Sequence, residues 1–112
     1  MKTIFQLKQV VFSNHLQRDV LRDLCGVPSR VIDDAEGRKE GPGAPCPYCG
    51  GTDRFKIIDL DGNVQIFCRQ ACFDGRKFGD LIDGIKRAQG LTTGQATRKL
   101  QGYLTERGNI DS

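Results

Sequence analysis

Four of the five cysteines stand in two close pairs, which is a spacing typical of metal binding. Two residues separate Cys46 from Cys49, and three residues separate Cys68 from Cys72. A turn between paired thiolates can present both sulfurs to one ion, and two such pairs complete a tetrahedral shell that favours Zn²⁺. The alternatives for these residues are two disulfides or free thiols in a core. The spacing predicts one structural zinc ion, although the second pair is one residue wider than the commoner spacing.

The segment between the two pairs has the pattern of a β-hairpin. Residues 54–60 are rich in apolar side chains that partly alternate with polar ones, and residues 64–67 form a second short strand pattern. Between them, residues 61–63 read Asp-Gly-Asn, a sequence that tolerates the positive φ of a tight turn. A hairpin that connects two cysteine pairs is the plan of a zinc ribbon.

Helical patterns flank this ribbon on both sides. In the N-terminal helical segment, residues 1–33, the capping box of Asn14 and Gln17 predicts the start of a helix. The apolar face of this helix is formed by Leu16, Val20, Leu21 and Leu24. Residues 1–12 fit neither a helical nor a strand period cleanly, so their element type stays open. Residues 34–45 are polar and rich in Gly and Pro, which predicts a loop or hinge.

Residues 46–78 are assigned to the zinc ribbon and residues 79–106 to C-terminal helices. Phe78 begins the apolar face of the first of these helices, and we expect it to be a buried anchor against the ribbon. Thr92 and Gln95 form a second capping box, which predicts the start of the last helix. The predicted fold is a small α+β domain, in which a Cys₄ zinc ribbon with a small antiparallel sheet is flanked by N-terminal and C-terminal helices. The whole chain is expected to form this single zinc-binding domain.

Composition and charge limit the classes of function. The chain of 112 residues suits one small domain, and 28% charged with 38% hydrophobic residues is typical of globular proteins rather than disordered or membrane proteins. No apolar run reaches the length of a membrane span and no segment resembles a signal peptide, so we expect no membrane partner. Paired cysteines without an export signal predict a cytoplasmic protein. A net charge of +3 permits binding to a polyanion without requiring it.

The remaining reactive side chains form no catalytic constellation. Cys25 is expected to be a buried free thiol at the end of the N-terminal helix, and His15 a surface or capping residue. Four aspartates are expected to be turn formers, helix caps or solvated charges: Asp59, Asp61, Asp80 and Asp83. The sequence contains no nucleophile constellation and no phosphate-cradling loop with a P-loop lysine. No catalytic residue is therefore predicted.

Residues 46–55, which read Cys-Pro-Tyr-Cys-Gly-Gly-Thr-Asp-Arg-Phe, closely resemble the start of the zinc-binding domain of DnaG-type DNA primases. The resemblance is to the version found in phage and plasmid primase-helicases, because cellular primases usually have His at the position of Cys49. It continues through Gly-Asp-Leu-Ile at 79–82 and Gly-Leu-Thr at 90–92, and it covers about residues 16–105 in all. The wider second cysteine pair departs from the family pattern.

This resemblance implies a role in DNA replication, as part of a primosome. In the family, the domain contacts the single-stranded DNA template and supports primer synthesis by a separate catalytic domain. We therefore expect single-stranded DNA as a ligand and a catalytic primase domain or a replicative helicase as a partner. The chain would then be an accessory module or the N-terminal part of a longer primase. The alternative is a protein-interaction ribbon that docks on a polymerase, a helicase or a transcription component without touching nucleic acid.

Basic and aromatic side chains on or beside the ribbon are the candidate nucleic-acid contacts, because basic groups track phosphates and aromatic rings stack on bases. Alternation places Arg54 and Lys56 on one face of their strand, opposite Phe55. Phe55 and Phe67 are expected to face inward as core, whereas the aromatic members of the candidate set are expected to be exposed. The full set is Arg54, Lys56, Arg69, Arg76, Lys77, Tyr48 and Phe73. Its basic members can equally be ordinary surface charge.

Overall fold

Helices flank a small central sheet in the computed structural model, which describes residues 3–36, 43–60 and 64–109, without the side chains of residues 51–53. This part of the chain contains five helices and one four-stranded antiparallel sheet, so the predicted small α+β class is confirmed. The elements in chain order are α1 (Ile4–Ser13), α2 (Gln17–Asp23), α3 (Ser29–Ala35), β1 (Ala44–Cys46), β2 (Gly50–Ile58), β3 (Gln65–Cys68), β4 (Phe78–Gly79), α4 (Leu81–Gln89) and α5 (Thr93–Glu106). None of these helices is both long and apolar enough to cross a membrane.

The sheet follows the order of its strands in the sequence, β1-β2-β3-β4, and every neighbouring pair is antiparallel. Lys56 of β2 pairs with Phe67 of β3, which confirms the predicted hairpin. The predicted turn at residues 61–63 lies outside the described residues. On the other side of β3, Phe67 also pairs with Phe78 of β4. Lys56, Phe67 and Phe78 therefore stand side by side on three neighbouring strands.

One face of the sheet supplies the middle of the hydrophobic core. Side chains two residues apart point to the same face of a strand, and the buried positions follow this rule. They are Phe55 and Ile57 on β2, and Ile66 and Cys68 on β3. All four belong to one buried cluster with side chains of the helices, among them Leu21, Ile32, Ile85 and Leu100. The helices before and after the ribbon in the sequence thus share a single core with it.

α1 occupies the N-terminal residues whose element type the periodicity left open. Thr3 and Gln6 form a capping box at its start, in which each side chain accepts a hydrogen bond from the other residue's backbone N–H. Leu7 and Val11 lie one turn apart and are buried in the core. The capping box and this apolar pair are helix signals that the sequence contains.

The predicted start of the next helix at Asn14 is wrong. Asn14 is the C-cap of α1, and its side-chain Nδ2 donates to the Val10 carbonyl oxygen at 2.8 Å. α2 begins at Gln17 after Leu16, which makes no side-chain capping bond. The connection between the two helices is so short that the Asn14 amide serves the end of the first helix. His15 in this connection is exposed, as expected for a surface residue.

The predicted loop at residues 34–45 is shorter at both ends in the structure. α3 extends to Ala35, and β1 begins at Ala44. Residues 37–42 of this predicted loop lie outside the described residues. α3 contacts both β1 and β2, so the N-terminal helices are packed on the ribbon.

α4 packs on the ribbon as predicted, but the proposed anchor, Phe78, is wrong. Phe78 lies in β4, where its side chain is 45% exposed. The buried residues of α4 include Leu81, Ile82 and Ile85, and these hold the helix against the core. The two-residue strand turns Phe78 outward and Gly79 inward, so the helical period does not extend back to Phe78.

Capping interactions set the limits of the C-terminal helices. Asp80 is the N-cap of α4 and exchanges capping hydrogen bonds with Asp83, in agreement with the capping role expected for these aspartates. Gly90 ends α4 with a φ of 65°, a left-handed conformation that glycine adopts without strain. Thr92 and Gln95 form the predicted capping box at the start of α5.

Candidate metal centre

Four thiol groups converge at one point: Cys46, Cys49, Cys68 and Cys72 are free cysteines, and their Sγ atoms all lie within 4.8 Å of one another. The Sγ atoms of Cys49 and Cys68 are 3.4 Å apart, and those of Cys46 and Cys72 are 3.8 Å apart. Around a tetrahedral zinc ion with Zn–S bonds of about 2.3 Å, neighbouring sulfurs stand about 3.8 Å apart. These four cysteines are therefore positioned to hold one zinc ion, as predicted.

Two tight turns carry the ligands: the first knuckle is residues 46–49, and the second knuckle is residues 68–72. Gly50 leaves the first knuckle with a φ of 78°, which suits glycine. In the second knuckle Ala71 has a φ of 55°, and its N–H donates to the Cys68 carbonyl at 3.0 Å. A left-handed residue thus absorbs the additional length of the second knuckle, and the wider cysteine pair still converges.

Burial raises the pKa values of two ligand thiols, whereas hydrogen bonding lowers the pKa of a third. Burial raises the pKa of Cys46 to about 11, and burial also raises the pKa of Cys72. For Cys49, burial likewise opposes ionisation, but hydrogen bonds from the neighbouring ligand thiols and from Arg54 lower its pKa below the ordinary value. Zinc binds cysteine as the thiolate, so metal binding releases the protons of these thiols.

A shell of four thiolates leaves no coordination position open for a substrate, so a zinc ion held here supplies structure rather than catalysis. It would tie the first knuckle to the second and so connect the ends of β1 and β3. Structural zinc sites contribute about 10–16 kcal/mol of apparent binding free energy. The whole net stability of a domain is about 5–15 kcal/mol, so we expect the ribbon to depend on its metal for folding.

Cys25 lies outside this cluster and is fully buried, which confirms the prediction of a buried free thiol. Its Sγ donates to the Leu81 carbonyl oxygen at 3.4 Å, and burial raises the pKa of this thiol well above its ordinary value. Cys25 therefore stays protonated and packs between α2 and α4 as a small apolar side chain.

An aromatic cluster lies next to the knuckles. The Tyr48 ring meets Phe55 and Phe73 edge to face, with ring centroids 6.1 Å and 5.7 Å apart. The Tyr48 hydroxyl donates to the Cys25 carbonyl at 2.7 Å, and burial raises the pKa of Tyr48. The predicted exposure of Phe73 is wrong, since it is 2% exposed, and Tyr48 is partly buried with both ring and hydroxyl engaged. A ribbon this small uses these rings as core, so they are unsuited to stacking on a base.

The opposite face of the sheet carries three neighbouring residues, which we call the outer row: Lys56, Phe67 and Phe78. The rings of Phe67 and Phe78 have centroids 4.9 Å apart, and the Lys56 Nζ lies 5.9 Å from the centre of the Phe67 ring. The expectation that Phe67 faces inward is wrong, because the adjacent Cys68 is the residue that faces inward. Successive residues of a strand face opposite sides of the sheet. Because Cys68 must face inward as a zinc ligand, alternation could have predicted that Phe67 faces outward.

Arg54 and Lys56 both lie on this outer face, with the fully buried Phe55 between them, as alternation predicted. Arg54 also contributes to the lowered pKa of the Cys49 thiol, which connects this face to the zinc site. The other predicted basic residues, Arg69, Arg76 and Lys77, are exposed in or after the second knuckle. The Arg76 Nη2 lies 2.8 Å from a carboxylate oxygen of Asp83 on α4, so an ion pair within the molecule already uses part of this guanidinium group.

Comparison with known proteins shows what the ribbon is similar to. No solved structure matches the chain significantly. Residues 41–82 match a protein-family model described as the zinc-binding domain of primase-helicase. The matched segment contains all four zinc ligands, both knuckles and the outer row. Residues 41–82 are therefore similar to the zinc-binding domain of primase-helicases, which confirms the resemblance found in the sequence.

Proposed function

We propose that this zinc ribbon is the template-binding module of a primase. It holds single-stranded DNA against the outer row and supports primer synthesis by a separate catalytic primase domain, with that domain or a replicative helicase as its protein partner. The observation that carries the proposal is the outer row itself, where two aromatic rings and a lysine lie side by side on three paired strands.

The outer row offers both kinds of group that bind single strands, namely aromatic rings for bases and cations for phosphates. Phe78 is 45% exposed, and the ring of Phe67 is tilted by 56° against it. Lys56 lies beside the Phe67 ring, and Arg54 lies two residues away on the same face of β2. A base that stacks on either ring would place its phosphate close to one of these two cations.

The sheet holds these groups in place before DNA arrives. Backbone pairing fixes Lys56 opposite Phe67, and Phe67 opposite Phe78. The residue after Phe67 is the zinc ligand Cys68, so the metal site further restrains the middle of the row. Side chains positioned in this way lose less conformational entropy on binding than side chains of a flexible arm.

The remaining candidate cations extend the surface towards the second knuckle. Arg69, Arg76 and Lys77 are exposed there, and Arg76 forms an ion pair with the carboxylate of Asp83. Because few phosphates can be contacted by so small a surface, we expect weak binding that falls steeply as the salt concentration rises.

Fluorescence anisotropy with a labelled oligothymidine tests the stacking part of the proposal. Phe78→Ala is expected to raise the Kd about tenfold, because stacking contributes about 1–3 kcal/mol per base. Phe12→Ala is the matched control, since Phe12 is 44% exposed, much like Phe78, but lies on α1. This control should bind DNA as tightly as the parent chain.

A charge reversal tests the electrostatic part. Lys56→Glu should weaken binding and reduce its salt dependence, because fewer counterions are released from the DNA. Lys99→Glu, at an exposed position of α5, changes the net charge equally and should leave the affinity nearly unchanged. Lys56 is the better choice than Arg54, because Arg54 also lowers the pKa of the zinc ligand Cys49 and a change there would affect zinc binding as well. Parent-like affinity of both Phe78→Ala and Lys56→Glu would refute template binding by this face.

A second candidate function is docking on a protein, and a groove beside the outer row favours it. The groove has a volume of about 830 Å³, and its lining combines apolar side chains with charges of both signs, namely Phe5, Ile58, Val64 and Phe78 with Lys8, Asp59, Arg76, Asp80 and Asp83. Phe5 on α1 is 70% exposed, and apolar groups mixed with charges of both signs suit a protein surface better than a row of phosphates. If Phe5→Ala weakens binding to a replicative helicase but leaves oligonucleotide affinity unchanged, the groove serves this second function.

A further inference from the structure

We propose that Arg87 is a positioning residue of the zinc site, which fastens the second knuckle to the first. Arg87 lies in the last turn of α4. Its Nε donates to the carbonyl oxygen of Cys72 at 3.1 Å, and its Nη2 donates to the carbonyl oxygen of Tyr48 at 3.2 Å. One guanidinium group therefore joins the backbones of both knuckles, independently of whether the outer row binds DNA.

The second knuckle needs this support because its backbone is strained. Ala71 within this knuckle has a φ of 55°, and Asp74, two residues after the knuckle, has a φ of 53°, in the left-handed region that residues with a Cβ disfavour. Such conformations persist where surrounding contacts hold them. Cys72 lies between these two residues, so the hydrogen bond from Arg87 acts on the zinc ligand itself and not on a distant part of the turn.

The contact on the first knuckle is equally close to the metal site. Tyr48 directly precedes the ligand Cys49, and its hydroxyl donates to the Cys25 carbonyl at 2.7 Å. The Tyr48 backbone is thus held by Arg87, and its side chain is held by the end of α2. The two knuckles cannot move apart unless one of the bonds to Arg87 breaks.

Arginine suits this position by shape as well as by charge. A zinc ion with four thiolates is a negatively charged group, so a nearby cation stabilises the loaded site. The planar guanidinium presents Nε and Nη2 in fixed relative positions, whereas the ammonium group of lysine is a single point on a flexible stem. Two carbonyl groups on different turns therefore match the paired donors of arginine and not the single ammonium group of lysine.

The helix that carries Arg87 is itself firmly attached to the core. Leu81, Ile82 and Ile85 are buried, and Lys8 of α1 forms an ion pair with the N-cap residue Asp80. Arg87 therefore transmits the position of α4 to the zinc site. Its contacts join residues far apart in the sequence, which explains why the cysteine spacing pointed to the ligands but not to Arg87.

The rate of zinc release from the full chain tests this role. The zinc-loaded parent and its variants are mixed with an excess of a chromogenic chelator, and zinc transfer is followed by absorbance. We expect Arg87→Ala to release zinc about tenfold faster, since groups that orient metal ligands typically contribute about 10–100-fold to metal affinity. Arg87→Lys should also be faster than the parent, because it keeps the charge but not the paired donors. Arg98→Ala removes an exposed arginine of α5 and should match the parent.

Two further measurements distinguish positioning from loss of the fold or of a ligand. Circular dichroism of each zinc-loaded variant reports the helices, and the spectrum of the cobalt-substituted chain reports the four-sulfur shell, which we expect to be the same in all variants. A parent-like release rate for Arg87→Ala, or an equal acceleration by Arg98→Ala, overturns the proposal. A parent-like rate for Arg87→Lys overturns it as well, because charge alone would then suffice. If Arg87→Ala loses the circular dichroism signal of its helices, the zinc-release rate of Arg87→Lys is the test, and a parent-like rate overturns the proposal.

Discussion

Substitution of Gly84 by alanine tests how closely α4 approaches the rest of the core. Gly84 is buried in the middle of α4, where alanine is intrinsically preferred over glycine. A Cβ at this position would lie 2.9 Å from the Sγ of Cys25 and 3.3 Å from the Cδ1 of Ile66. Carbon atoms in ordinary contact are about 3.5–4.0 Å apart, so the added methyl group must displace Cys25 or move α4 away from α2 and β3.

Two opposing terms set the expected magnitude. Alanine stabilises a helix interior by about 1 kcal/mol relative to glycine. An additional methyl group in a well-packed core typically costs about 1–3 kcal/mol. Gly84→Ala is therefore expected to lower the free energy of unfolding by about 1 kcal/mol, the difference between these terms. Gly102→Ala is the matched control on α5, because a Cβ there meets nothing within 4 Å, and it should be stabilising.

Urea unfolding followed by circular dichroism measures both variants, at one fixed zinc concentration because bound metal adds to the apparent stability. The two alanine variants should differ by about 2 kcal/mol in free energy of unfolding. Combining Cys25→Ala with Gly84→Ala should recover part of the loss, since it removes the sulfur that lies nearest to the new methyl group. Equal stabilisation by Gly84→Ala and Gly102→Ala would refute the close approach of α4 to Cys25.

Two further predictions concern the cysteines and Tyr103. Cys25→Ser should retain one zinc per chain in elemental analysis, whereas Cys72→Ser should lose it; zinc loss in the first variant would show that the ligand set is wrong. The Tyr103 hydroxyl donates to the Asp23 carboxylate at 2.7 Å, and burial with this bond raises the pKa of Tyr103 to about 12. Stability from this raised pKa is fully present below the unfolded pKa of about 10, and it is lost as the pH rises through the folded value of about 12. Phenolate absorbance should show this late ionisation, and Asp23→Asn should lower the pKa of Tyr103; an unchanged titration curve in that variant would contradict the assignment.

The sequence correctly predicted the features that depend on residues close together in the chain. The cysteine spacing indicated the four ligands because each pair is closed by a single turn. Thr92 and Gln95 marked the start of α5 because a capping box involves residues three apart. Alternation along β2 placed Phe55 inside and Lys56 outside because the side-chain period of a strand is two residues.

The burial of residues that lie between the helices and strands could not be predicted in the same way. Tyr48 lies in the first knuckle and Phe73 just after the second, where no period relates a residue to a face. Their burial depends on contacts with each other and on the Cys25 carbonyl, which lies more than twenty residues before them in the sequence. Phe78 appeared to continue the helical pattern of α4, but pairing with Phe67 made it part of a strand.

The core that the sheet shares with the helices determines which part of this protein can exist on its own. The family match ends at residue 82, inside α4. A fragment of residues 41–82 would keep all four zinc ligands but would leave Ile66, which is fully buried and packs near Gly84 of α4 in the whole chain, without the helices that share its core. Bare apolar surfaces of this kind promote aggregation. The unit that can be transplanted into another protein is therefore the ribbon together with its flanking helices, and not the metal-binding segment alone.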